Sequence, residues 1–166
     1  MERSNVYLLL PASGEPKFGT IDNPDWQEFN RAIKADTGAV VRSRGLTEAL
    51  GDTGRRMFAV ETVDLWVDDE ALLKEEPVPN VLASCFAGQM IHGDALVMLG
   101  TGQGESVGLP TELEFWLIGV IGEIERTGKR DEIYAVVKAE HEAFMKENPS
   151  GFKFVAMDIT KEGGAA

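Results

Sequence analysis

The chain has 166 residues, 43% of them hydrophobic and 27% charged, with a formal charge of −12 and a single cysteine. This is one domain's length, at which about 70% of the unfolded surface can be buried. Disordered, collagen-like and disulfide-scaffold classes are excluded. Cys85 cannot form a bridge within the chain, which points to a reducing compartment. The apolar run Val6–Leu10 is too short for a signal peptide, and no stretch approaches the roughly 18 apolar residues of a membrane span. A soluble cytoplasmic protein with no membrane partner is expected.

Charge is unevenly placed. Residues 1–60 carry eight acids and eight bases, residues 61–109 carry nine acids against Lys74 alone, and the remainder carries eleven acids against seven bases. The middle of the chain is therefore an acidic block. Binding to nucleic-acid phosphates needs clustered Lys and Arg. Only Arg42/Arg44 and Arg55/Arg56 offer any, so direct nucleic-acid binding is not expected.

Val6–Leu10, closed by Pro11, reads as a buried strand, followed by a polar stretch with Gly14, Pro16 and Gly19. Asn23-Pro24 reads as a cap with proline at the first helical position. Trp26, Phe29 and Ile33 then fall on one face of a helix that Gly38 ends. Ala39–Arg44 reads as a strand, Gly45–Gly54 as a loop or frayed turn, and Met57–Val60 and Val63–Val67 as two further strands. Asp68, Asp69 and Glu70 close this unit in solvent. After Pro77 and Pro79, Asn80 caps a short helix through Phe86 that Gly88 stops. Asp94–Leu99 is another strand, followed by the glycine-rich loop 100–104.

The last third reads as helical. Leu113, Trp116, Leu117, Val120, Ile121 and Ile124 recur at spacings of three and four after Pro110. The turn Thr127–Arg130 precedes a second helix with Ile133, Val136, Val137 and Phe144, which makes an αα-hairpin. Phe152–Ile159 reads as a final strand. Strands and helices alternate without βα periodicity, so the fold class is α+β, with a small mixed or antiparallel sheet, a short helix on the core and a C-terminal αα-hairpin. The expected organisation is an α+β core over 1–110, the hairpin and final strand packed on it over 111–160, and a disordered tail over 161–166.

No catalytic motif assembles in the sequence. The loop Gly100-Thr101-Gly102-Gln103-Gly104 follows a strand but has no lysine, and reads as a hairpin or crossing loop instead of a phosphate loop. Gly122–Lys129 has the wrong spacing for such a loop and lies at a helix end. Of two histidines, His141 lacks a His-x-x-x-His partner, which excludes a zincin-type site. No metal and no cofactor are expected. The His92-Gly93-Asp94 turn can pair imidazole with carboxylate as a general base. Ser84 and Cys85 lie nearby, but a cysteine within Leu82–Phe86 reads as packed and inert. His92, Asp94 and Asn80 are the candidate pocket residues. Trp66 lies on the strand face opposite Val63, Leu65 and Val67; coverage by the C-terminal hairpin is expected, and a partner contact is the alternative. Trp116 beside Phe115 widens the hairpin's apolar stripe beyond one buried face, which offers a homo-oligomer or partner contact.

The segments Leu65-Trp66-Val67-Asp68-Asp69-Glu70, Leu73, Pro79-Asn80 and Ile91-His92-Gly93-Asp94 through Gly100 give the chain a resemblance over about residues 6–110. It resembles an uncharacterised domain family encoded on bacterial plasmids and phages. Where that family often has glycine after the acids and before the Asn, this chain has Ala71 and Glu75-Glu76, and the helical hairpin extends beyond it. The resemblance implies an accessory gene of a mobile element, acting in the cytoplasm of a bacterial host, and carries over no established activity.

Three functions follow. The first is a non-catalytic accessory protein that binds a host protein or sequesters a small signalling ligand in host takeover or counter-defence. Trp66, Trp116 and the acids Asp68, Asp69, Glu70, Glu75 and Glu76 are its candidate contacts. The second is an acidic nucleic-acid mimic that occupies a basic groove of a DNA-binding host protein. The third is a small hydrolase using His92 and Asp94, with Cys85 as a further candidate. Binding is preferred to catalysis.

Overall fold

The run Ala-Leu-Val-Met-Leu-Gly at 95–100 has no polar side chain, so neither side of a strand made from it tolerates water. In the computed structural model, which describes residues 4–148, every residue of this strand is buried. It is the fifth of six strands: β1 (Val6–Leu10), β2 (Lys17–Thr20), β3 (Gly38–Arg42), β4 (Thr62–Asp68), β5 (Ala95–Gly100) and β6 (Ser106–Val107). They form one sheet in the order β2-β1-β5-β4-β3, with β6 also paired to β5, and every pairing is antiparallel.

The helices are α1 (Trp26–Ala32), α2 (Arg44–Phe58), α3 (Val81–Ala87), α4 (Thr111–Arg126) and α5 (Lys129–Glu147). The fold is α+β, and α4 and α5 are the C-terminal helix pair. Among the described residues no helix is long and apolar enough to cross a membrane.

Strand alternation divides the core into two. Leu8, Leu10, Val63, Leu65, Ala95, Val97 and Leu99 face one side, where Leu46 of α2, Phe86 of α3 and Leu113, Leu117 and Ile121 of α4 cover them. Tyr7, Leu96, Met98 and Trp66 face the other, under Phe29 and Ile33 of α1. Trp66 is thus half-buried by α1 and not by the C-terminal hairpin as its sequence suggests. Residues 64 and 66 point away from the side on which α4 docks.

Several elements differ from the sequence reading. Arg44–Phe58, expected as loop and strand, is helical with a break at Gly51, whose φ is 72°. Ser43 starts it, accepting from Leu46 N–H at 3.2 Å while donating to the Phe86 carbonyl at 2.7 Å. Leu46 and Leu50 then pack on the core, and this tertiary contact outweighs the poor helix propensity of three glycines. Ala59, at φ 54°, ends the helix where the Met57–Val60 strand was expected. β2 and β6 escape the pattern because they are short, β2 mostly exposed at the sheet margin and β6 only two half-buried residues long. The glycine loop joins β5 to β6 as a hairpin, with Thr101 N–H donating to the Glu105 carbonyl at 2.9 Å.

α1 begins two residues later than Asn23-Pro24 implies. Asp25 is its cap, accepting from Glu28 N–H at 2.9 Å, so Trp26 sits in the first turn and is 59% exposed while Phe29 and Ile33 are buried. Gly38 does not end this helix; it opens β3. The expected α3 cap and stop are seen, with Asn80 before Val81 and Gly88 left-handed after Ala87. The expected strand Phe152–Ile159 and the tail lie outside the described residues.

Gly38 is required by close approach. A Cβ there would collide with the Trp66 indole nitrogen and the Asn30 side-chain oxygen, which are hydrogen-bonded at 2.8 Å. Gly38→Ala is predicted to destabilise by about 2 kcal/mol through overpacking and to red-shift tryptophan emission. Unchanged melting and emission would contradict this packing.

Candidate functional site

The three pocket candidates meet at one corner, where β1 ends, α3 starts and β5 begins. Asn80 is 1% exposed and borders a cavity of about 400 Å³ between the 11–16 loop, α3 and α5. Its amide donates to the carbonyls of Leu10 at 2.8 Å and Gly93 at 2.9 Å, and its oxygen accepts from Ala83 N–H at 3.0 Å. Asn80 thus ties three elements together. Asp94 accepts from Ala12 N–H at 2.9 Å and lies 3.9 Å from Lys34 Nζ.

His92 is half-buried and bridges to Pro79. Burial first, and His141 second, hold its pKa below the ordinary value. Among the described residues no cluster of three or more His, Cys, Asp or Glu is placed to hold a metal. Cys85 is buried, and its thiol donates to the Arg130 carbonyl at 3.2 Å. Burial pushes its pKa up to about 11, which disfavours the nucleophilic thiolate.

The acidic segment is split by the fold. Asp68 is buried, accepts from Glu70 N–H at 2.9 Å and pairs with Lys74 at 2.7 Å, so it anchors the turn after β4. Asp69, Glu70, Glu75 and Glu76 are exposed. Trp66 turns inward and is half-buried, with its ring tilted 5.5 Å from that of Phe29 and its N–H given to Asn30.

The exposed apolar surface lies elsewhere. Trp116 is half-buried against the core, whereas its neighbour Phe115 is 71% exposed and Ile118, one turn on, 54%. On α5, Val136 is 58% exposed, with Ile133 and Phe144 along the same side. Helical spacing was the available signal: Phe115 and Ile118 fall outside the stripe traced by Leu113, Leu117 and Ile121.

The sequence groups Asp64 with Asp68, Asp69 and Glu70 as a solvated strand end, in preference to a Ca²⁺ or Mg²⁺ site, and the structure differs. Asp64 is buried, opposite Arg42 across the β3–β4 pairing, beside a hollow of about 750 Å³ also lined by Arg44 and Gln89. A Cβ at Gly100 would strike its carboxylate and the Thr62 hydroxyl. Compared with known protein families, with curated proteins and with solved structures, the chain matches none.

Burial raises the folded pKa of Asp64, against smaller lowering effects of Thr62 and Arg42. A raised folded pKa makes stability fall as pH rises from the unfolded value to the folded one. Asp64→Asn is therefore predicted to stabilise the protein at neutral pH, with the gain shrinking on acidification through the carboxylate range. Denaturant unfolding at several pH values checks this; an Asn variant less stable at neutral pH would show that the Arg42 attraction outweighs desolvation.

Proposed function

We propose that this is a non-catalytic binding protein of phage or mobile-element origin that acts on a host protein in host takeover or counter-defence. The observation that carries the binding role is the exposed apolar surface of the C-terminal helices: Phe115 and Ile118 on α4, and Val136 on α5, stand in solvent on helices already anchored by Leu113, Leu117 and Val137. Single exposed apolar residues are ordinary; an aromatic and an aliphatic side chain three residues apart on one helix, both mostly exposed, have the composition of a protein interface.

Charge selects the kind of partner. α4 carries Glu112, Glu114, Glu123 and Glu125 against Arg126 alone. Two copies meeting on this face would bring like charges together, whereas a protein with basic residues around an apolar patch complements it. The raised Cys85 thiol and the engaged Asp94 carboxylate favour binding over hydrolysis. The inward anchoring of Asp68 weakens a mimic that needs the whole acidic segment on one surface. Origin from a mobile element rests on the resemblance over residues 6–110.

The test is affinity capture from host lysate, followed by titration calorimetry with the purified captured protein. The expected result is a one-to-one complex that weakens with salt and loses about 100-fold in affinity in Phe115→Ser/Ile118→Ser, as hot-spot loss near 3 kcal/mol implies. Wild-type affinity in the double variant would overturn the assignment.

A further inference from the structure

A second cavity, of about 360 Å³, opens on the α1 side of the sheet, between β1, the start of α1 and β6. That volume lies within the range of small-molecule sites, about 300–1,000 Å³. Tyr7 lines it, is 1% exposed, and its hydroxyl has no hydrogen-bond partner among the described residues. An orphaned buried hydroxyl is costly unless something pairs with it. Burial raises the Tyr7 pKa, so the group is a neutral phenol, able to donate or accept.

The walls indicate what that partner is. Phe29 stands edge-on to Tyr7 at 5.5 Å, and Trp26, largely exposed, belongs to the same lining. Tyrosine, phenylalanine and tryptophan rings together attract cations through their faces. Asp25, one of whose oxygens caps α1, also lines the cavity, and no lysine, arginine or histidine is among its described lining residues. Aromatic walls, a carboxylate and an unpaired phenol favour a cation with N–H groups over an anion or a neutral alcohol.

We propose that this cavity binds a small organic ammonium ion carrying an apolar arm. An N–H donates to the Tyr7 oxygen, the charge faces Trp26 and Asp25, and the arm packs on Phe29. The site is separate from the α4–α5 face and does not depend on the partner assigned there.

The experiment is an NMR titration of the full chain with 2-phenylethylammonium, 2-phenylethanol and phenylacetate. The expected result is saturable binding of the ammonium, about tenfold tighter than the alcohol, with phenylacetate weakest. Tyr7→Phe should lower ammonium affinity about tenfold, the scale of a hydrogen bond to a charged group, and should melt no lower than wild type because an unpartnered hydroxyl is lost. Trp26→Ala, at an exposed position, should weaken it several-fold and serves as the test if Tyr7→Phe misfolds. Equal affinity for ammonium and alcohol, absence of saturation at tens of millimolar, or unchanged affinity in the variants would overturn the proposal.

Discussion

β5 is buried on both faces, and this requirement shapes the rest of the molecule. A strand with Leu96 and Met98 on one side and Ala95, Val97 and Leu99 on the other must have two covers, each supplied by the same short chain. β1 and β4 flank it on either side and extend both apolar faces. The Asn80 side chain fixes where this sheet meets its helices, because one buried amide holds the end of β1, the turn before β5 and the start of α3.

The two covers are unequal. One face receives α2, α3 and α4, with α5 lying outside against α3 and α4. Helical surface is in excess there, and the surplus is the exposed side of the α4–α5 pair. Among the described residues the other face receives the seven residues of α1 and a few neighbours such as Ile21, Ile33 and Ala35. So short a helix leaves Trp66 half-covered and a cavity beside Tyr7. Both proposed binding surfaces thus have one physical origin, too much helix on one side of β5 and too little on the other.

How much of this was legible in the sequence follows from the range of the interactions involved. β1, β4, β5, α3 and the helix pair were readable because their signals are local: unbroken apolar runs, an Asn cap, a left-handed glycine and a stripe of three-and-four spacing. α2 was not, since its three glycines argue against a helix and its stability comes from Leu46 and Leu50 packing on a core built from distant strands. For the candidate sites, Asn80 and Asp68 were picked out as polar residues in prominent places, yet their partners, Leu10, Gly93 and Lys74, could only be found in three dimensions. Tyr7 gave no sign, because it sits inside an apolar run and only the cover provided by α1 leaves its hydroxyl unpaired.

The central claim is that the outer α4–α5 face meets a foreign, basic-rimmed partner and not a second copy. Sedimentation equilibrium of the purified chain over a wide concentration range tests it most directly. The account predicts a single species at the chain mass of 18.1 kDa throughout. A concentration-dependent dimer that Phe115→Ser returns to monomer would contradict it and give the face to self-association.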